Sequence, residues 1–226
     1  MTAIIKKELK NYFLSPIGYI IIAIFLTLFS AFFYLTSIRS SVIDLPSLFY
    51  YVALYGLMFM APLLTMWSIS GERKNGTDQL IMTSPVSMVG LVLAKFIAAL
   101  LLVLIPVIFS LMYFAILSHY HVPDIPSYLI SVLGFVLLAM TYISFGIFAS
   151  SLTESPIISA ILTFAIVFGS MWLPIIINKS SLSLMNQFIN YLRGQIDITA
   201  TVFLITLTIL CLTCTMIIMQ RRKSVK

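Results

Sequence analysis

Polar residues in this chain fall into short islands that separate six long apolar runs. The uncharged runs cover residues 11–38, 45–71, 96–118, 125–153, 155–178 and 198–220. A helix needs about 20 apolar residues to cross roughly 30 Å of hydrocarbon, and every run is long enough. The pattern predicts one all-α membrane domain over 1–226, with six transmembrane helices at about 17–38, 48–70, 89–117, 128–151, 156–177 and 199–219.

Helices are preferred over strands because lipid leaves each backbone polar group to be satisfied within its own segment. The runs are also continuously apolar, whereas strands of a membrane barrel alternate. A seventh uncharged stretch, Ser180–Leu192, lies in the segment at about 180–195 and is too short to cross. Its apolar residues have helical spacing, which predicts an interfacial or re-entrant helix on the outer side.

The first 16 residues predict a helix that lies in the membrane interface. One face of this segment is apolar and the other basic; the apolar face carries Ile5, Leu9, Tyr12 and Phe13, and the basic face carries Lys6, Lys7 and Lys10. Such a helix places its lysines toward lipid headgroups. The pair Ser15-Pro16 then turns the chain into the first span.

Composition and charge agree with this topology. Hydrophobic residues make up 61% of the chain and charged residues only 9%, against roughly a quarter charged in soluble domains. With the N-terminus inside, ten of the 13 basic residues fall on the inner side, as the positive-inside rule requires. We expect the protein to lie in the cytoplasmic membrane of a bacterium, with both termini and the island 71–95 on the cytosolic side. The net charge of +6 follows from this bias and gives no reason to propose nucleic-acid binding.

The sequence lacks the motifs that would let it supply its own energy. It contains no P-loop for a nucleotide, and no acid or base lies in the middle of a predicted span. Lys95 is the nearest, and we expect it to snorkel to the cytosolic interface. An ion-coupled transporter usually needs an intramembrane charge. Any transport would therefore draw its energy from another subunit.

Two further pairs of residues carry weak chemical signals. His119 and His121 flank a tyrosine after the third span, but no third metal ligand is near, so we interpret them as loop residues. Cys211 and Cys214 share a helical face within the last span, where small packing residues are the better interpretation.

The island 71–95 is the one charge-dense segment between two spans. Asn75 or Thr77 can cap a short helix that ends at Ser84-Pro85. That helix presents Leu80 and Ile81 as exposed apolar residues. Local chemistry alone does not distinguish a docking element for a partner from an inner loop that packs on its own chain.

The same island carries a family resemblance. The run Glu72-Arg73-Lys74-x-Gly76-Thr77-Asp78-Gln79-Leu80-x-x-Thr83-x-Pro85-Val86-Ser87 resembles the signature of type 2 ABC exporter permeases. The small permeases of the gliding-motility and nitrous-oxide-maturation kind are the most similar branch. Gly194-Gln195-Ile196-Asp197, before the last span, resembles another element of that branch.

The resemblance implies a permease that is not itself an enzyme and binds no cofactor. ATP and Mg would be held by a separate cytosolic ABC ATPase, and a second permease copy or a homologous permease would complete the assembly in the lipid bilayer. A coupling helix at about 75–86 would dock on the ATPase; its implied residues are Glu72, Arg73, Lys74, Gly76, Thr77, Asp78, Leu80, Ile81, Met82 and Pro85. The exported cargo would be an amphipathic or hydrophobic peptide, lipid or antimicrobial.

By the same analogy the translocation path would involve spans one, two and five. The aromatic and methionine residues expected along it are Phe25, Phe29, Met58, Trp67, Met171 and Trp172. Two other functions stay open at this point. One is a non-transporting membrane anchor or sensor for an ABC ATPase, and the other is a membrane-embedded enzyme that uses His119 and His121.

Overall fold

Six long helices form the body of the protein. The computed structural model describes residues 2–39, 45–77, 87–120, 124–179 and 182–225; 89% of these residues are helical and none lies in a strand. Within these ranges, six helices are long and apolar enough to cross a bilayer: Pro16–Ile38, Leu45–Lys74, Met88–His119, Ile125–Leu152, Pro156–Ile176 and Ile198–Arg222. We call them spans one to six. The predicted all-α fold with six spans is confirmed.

A separate helix, Thr2–Leu14, precedes span one and folds back against span three. Ser15 ends it and caps the next helix, since its hydroxyl accepts a hydrogen bond from the amide of Ile17 (3.3 Å), and Pro16 occupies the first helical position. Both are ordinary helix-start devices. Gly18 permits the fold-back, because a Cβ at this position would collide with the backbone of Tyr12.

Spans one and two are not regular α-helices throughout. Span one continues from Pro16–Phe33 into a π-helical turn at Tyr34–Ile38. Span two begins as Leu45–Tyr51, widens into a π-helix, and resumes as an α-helix; these later pieces are Val52–Leu57 and Met58–Thr65. After a turn, the short helix Ser70–Lys74 completes it. Wide π turns often mark functional positions in helices.

Span four is the central helix of the bundle, and it contacts spans two, three, five and six. Its approach to span two is close because Gly146 faces Thr65; a Cβ at position 146 would overlap the threonine hydroxyl. An aromatic cluster lies at the other end of the same contact. Phe29, Phe49 and Phe135 are fully buried, with ring centroids 5.7 to 6.1 Å apart.

Spans three and six belong to the long helices Met88–Tyr120 and Ile198–Val225. A short helix, Leu184–Leu192, lies between spans five and six. The short helix packs its apolar face on spans two and four, burying Phe188 and Tyr191. Its interfacial position stays a prediction.

The Gly194–Asp197 element joins this short helix to span six. Gly194 has φ +72° and ends the helix. The Asp197 carboxylate accepts a hydrogen bond from the Thr199 amide (2.9 Å) and another from the Asn190 side chain (3.0 Å). This element therefore starts span six with a capping carboxylate and fixes the short helix to it.

Candidate functional site

An ionic junction connects the N-terminal helix to spans two and three. The Lys95 ammonium lies 2.7 Å from a Glu72 oxygen and 3.1 Å from a Glu8 oxygen, and it donates to the Ser68 carbonyl at 2.7 Å. These three acceptors match the three protons of an ammonium group. Lys95 is only 3% exposed. We call Glu8, Ser68, Glu72 and Lys95 the junction.

The expectation that Lys95 snorkels to the interface is wrong. Its side chain is buried because two carboxylates from other helices reach it, which removes the need to extend to water. A buried ammonium with three acceptors is a satisfied group, whereas the same ammonium without them would carry a large desolvation cost.

The N-terminal helix brings Glu8 to the junction. Glu8 is buried on the face that packs against the bundle, while Lys6, Lys7 and Lys10 are exposed on the other side. The Tyr12 hydroxyl, one turn later, donates to the Leu64 carbonyl at 3.1 Å. Burial, together with the charge of Glu8, raises the pKa of Tyr12 above its ordinary value, so the phenol keeps its proton and its bond.

Arg73 reaches in the opposite direction from its neighbour Glu72. Its guanidinium donates to the Thr153 carbonyl at the end of span four (3.0 Å) and contacts the Met219 sulfur in span six at 3.7 Å. Adjacent residues on one short helix thus hold opposite sides of the bundle. Glu72 binds the side of span three, and Arg73 binds the side of spans four and six.

The backbone of this short helix is itself anchored in the bundle. The Ser150 hydroxyl of span four accepts hydrogen bonds from the amides of Ile69 (3.0 Å) and Ser70 (2.9 Å). Ser70 and Ser150 are fully buried. The end of span two is therefore fixed to span four by backbone contacts as well as by the Arg73 side chain.

The predicted coupling segment, 75–86, begins where this anchored helix ends. Gly76 has φ +69° and bonds to the Arg73 carbonyl, and both the amide and hydroxyl of Thr77 bond to the Glu72 carbonyl. Lys74 is exposed, with its ammonium 5.8 Å from the centre of the Trp67 ring. The remaining predicted residues, Asp78, Leu80, Ile81, Met82 and Pro85, lie outside the described residues.

A ridge of exposed side chains runs along span two. It consists of Tyr51, Tyr55, Phe59, Leu63 and Trp67, at spacings of four residues, and each is 37 to 49% uncovered by the rest of the chain. Every other residue from 52 to 71 is buried or half-buried. We call these five residues the aromatic ridge. At 1.5 Å per residue it extends roughly 24 Å, most of the hydrocarbon thickness.

Neighbouring spans extend the aromatic surface on both sides of this ridge. Phe32 of span one stacks on Tyr51 and Tyr55, with centroids 5.2 and 5.7 Å apart. Phe164 of span five lies 5.4 Å from Phe59. Spans one, two and five therefore share one aromatic face.

The six residues predicted to line a path separate into two groups. Trp67 and Trp172 are exposed on the face of spans two and five. Phe25, Phe29, Met58 and Met171 are at most 8% exposed and pack in the core of this chain. Met171 and Trp172 also border a cavity of about 120 Å³ between span five, span two and the Leu184–Leu192 helix.

A larger cavity, of about 180 Å³, lies beside the junction. Its polar wall includes Glu8, Asn11, Glu72 and Lys95, and its apolar wall includes the last two ridge residues, Leu63 and Trp67. We call it the junction cavity. It connects the charged group to the end of the aromatic ridge.

The two weak chemical signals receive no stronger support from the geometry. Cys211 and Cys214 are free thiols in span six, buried and half-buried. His119 ends span three, and His121 lies outside the described residues. Within the described ranges no three His, Cys, Asp or Glu side chains cluster as metal ligands.

Sequence reasoning missed Glu8 and the aromatic ridge. The spacing of Tyr51, Tyr55 and Phe59 was a visible signal, since residues four apart share a helical face. Glu8 carried no such signal: lysines precede and follow it, and its partner Lys95 is 87 residues away.

The bundle of six apolar helices defines a multi-pass helical membrane protein. Its sequence matches, over residues 2–225, the family described as ABC-2 family transporter protein. Because the match covers nearly the whole chain, the protein belongs to this family of ABC transporter permeases. No curated protein matches the chain.

Proposed function

We propose that this chain is the permease subunit of an ATP-driven exporter, powered by a separate cytosolic ABC ATPase. Family membership supports the permease role. Most of the basic residues fall on the side of the spans where both termini and the coupling segment lie, which supports a cytosolic position for all three. The exporter direction and a partnership with a second permease copy are parts of this proposal.

The observation that carries the mechanism is the divided attachment of Glu72 and Arg73. The residues directly before the coupling segment bind Lys95 on one side and the Thr153 carbonyl on the other. Displacement of the coupling segment by the ATPase would move both attachments together. In this account the junction converts motion at the cytosolic surface into a shift of the spans beside it.

The aromatic face of spans one, two and five is the proposed translocation path. Tyr55 lies about 10 residues into the 30-residue span two and is half-exposed, so this hydroxyl-bearing side chain would face hydrocarbon if only lipid covered it. Exposed polar groups are costly at that depth. A second permease or an amphipathic cargo would cover this face at lower cost, so we centre the path on the aromatic ridge.

Docking of the coupling segment is tested by co-purification with the cognate ATPase. Leu80→Asp and Ile81→Asp place charges on the proposed apolar anchors, whose burial would contribute roughly 1–3 kcal/mol. We expect both variants to lose ATPase binding. Lys179→Asp, far along the chain beyond span five, is the matched control. Unchanged binding and unchanged ATP hydrolysis in both variants would contradict the docking claim.

Transport itself is tested in liposomes that contain the permease and its ATPase. ATP-dependent movement of an amphipathic cargo supports the exporter. ATP turnover without any cargo movement across a panel of lipids and peptides would instead support a membrane anchor or sensor.

A further inference from the structure

The junction leaves one oxygen of each carboxylate unused. Lys95 binds Oε1 of Glu8 and Oε1 of Glu72. Neither Oε2 atom has a partner within the ranges that the structure describes, and both residues line the junction cavity. Glu8 is only 8% exposed. One buried and one partly buried carboxylate therefore offer free acceptor atoms to whatever occupies the cavity.

The charges of the junction do not balance. Among the groups in direct contact, two carboxylates against one ammonium leave a net charge of −1 in a largely buried position, and the exposed Lys7 adds only a more distant positive charge near Glu72. A buried unbalanced charge is costly, and a ligand that carries one positive charge would neutralise it. A ligand that carries a carboxylate or phosphate alone would add to the imbalance.

The apolar wall of the cavity favours a ligand that also carries an apolar chain. Leu63 and Trp67 line it, and they are the last residues of the aromatic ridge. The exposed Lys74 ammonium lies 5.8 Å from the centre of the Trp67 ring, and an indole face of this kind attracts cations. An apolar chain attached to the ligand's charged head would continue from this wall along the ridge.

We infer that the junction cavity binds the primary ammonium head of an amphiphile, with the Oε2 atoms of Glu8 and Glu72 as acceptors and Trp67 beside the head. A primary ammonium has three protons to donate, which suits two carboxylate oxygens better than a quaternary head does. The chemistry is shared by a cationic single-chain cargo and by an aminophospholipid of the bilayer. The assignment to cargo rests on the proposed exporter function, whereas the binding of the head does not.

The sequence supplies a direct probe, because Trp67 and Trp172 are the two tryptophans of the chain. In the Trp172→Phe variant all tryptophan fluorescence reports on Trp67. The permease, without ATPase, would be placed in phosphatidylcholine nanodiscs and titrated with dodecylammonium, dodecyltrimethylammonium and dodecanol. Trp67→Phe, which leaves only Trp172, is the matched control for simple partitioning into the bilayer.

We expect a saturable change of Trp67 fluorescence with dodecylammonium, with at least about tenfold weaker binding of dodecanol, since 1.4 kcal/mol of charge-assisted bonding gives that factor. The quaternary probe should bind at an intermediate level. Glu8→Gln and Glu72→Gln should each weaken dodecylammonium binding severalfold, and the Trp172 reporter should show no saturation.

Equal binding of dodecanol and dodecylammonium, or no saturable change, would overturn the inference. This comparison uses unaltered carboxylates, so it stands even where a glutamate variant fails to fold. Phosphatidylethanolamine added to the nanodiscs separates the sources: competition assigns the site to a bilayer lipid, and its absence assigns it to a single-chain cargo. Because no ATPase is present, failure here leaves the exporter proposal to its own test.

Discussion

The carboxylate of Glu72 lies 2.7 Å from the ammonium of Lys95, and both side chains are largely buried between the N-terminal helix and spans two and three. The signature region and the start of span three are therefore one structural unit. Glu8 completes it at 3.1 Å. The junction lies between the proposed docking segment and the proposed path, which makes it accessible to stability and coupling measurements.

The first prediction concerns the stability of the junction. Lys95→Met removes the cation that contacts both carboxylates in the described part of the chain and should destabilise the protein by about 3–5 kcal/mol, since breaking a buried pair leaves uncompensated charge. Thermal unfolding in detergent measures the change. Lys10→Met, on the exposed face of the N-terminal helix, is the control and should have little effect.

The same prediction has a compensating variant. A triple variant that combines Glu8→Gln, Glu72→Gln and Lys95→Met has none of the three charges. It should recover most of the stability lost in Lys95→Met, because no buried charge is left unpaired. A triple variant no more stable than Lys95→Met would contradict the ionic account of the junction.

Arg73 should matter for coupling more than for docking. Arg73→Gln removes the charged donor to the Thr153 carbonyl, a bond that contributes roughly 1.5–3 kcal/mol. We expect the variant to bind the ATPase normally but to transport several times less cargo per ATP hydrolysed. Arg193→Gln, at an exposed arginine just after the Leu184–Leu192 helix, is the matched control. Full coupling in Arg73→Gln would remove this residue from the transmission route.

The close approach of spans two and four predicts a steric pair. Gly146→Ala should cost about 1–3 kcal/mol, because the added Cβ overlaps the hydroxyl of Thr65. Thr65→Ala should relieve part of that cost, so the double variant should be more stable than the sum of the single effects. Gly169→Ala serves as a control, since its Cβ would meet only the flexible end of Leu173 at 3.3 Å. Additive effects of the two single changes would contradict direct contact.

The aromatic ridge should affect transport without affecting the fold. Tyr55→Ala and Phe59→Ala alter side chains that are about half uncovered by the chain, so thermal stability should change little. We expect transport to fall severalfold, because cargo would lose aromatic contact area along the path. Ile209→Ala, an equally exposed residue of span six, is the matched control. Normal transport by both ridge variants would move the path elsewhere.

The sequence was sufficient to predict the spans but not their faces. Six apolar runs could only be helices, because lipid leaves no alternative partner for the backbone. Periodicity also predicted that Lys6, Lys7 and Lys10 would be exposed. Neither signal says which side of a uniformly apolar helix meets another helix. The ridge on span two emerges only after spans four and five cover the other sides.

The junction shows a different limit of sequence reasoning. Glu72 belongs to a recognisable motif, and Lys95 was noted as the charge nearest a span. Glu8 joins this pair through the fold-back at Gly18, which brings it across from a segment rich in lysines. Charges that look solvated in sequence were paired by tertiary contacts, so the predicted snorkelling of Lys95 was wrong.

The most direct test of coupling through the junction places a nitroxide label on the ridge. Tyr55→Cys would be labelled in a chain with Cys211→Ala and Cys214→Ala, then reconstituted with the ATPase. We predict that ATP with vanadate changes the accessibility of the label to oxygen, and that Glu72→Gln abolishes this change while the ATPase stays bound. A full ATP-dependent change in the Glu72→Gln variant would contradict the account.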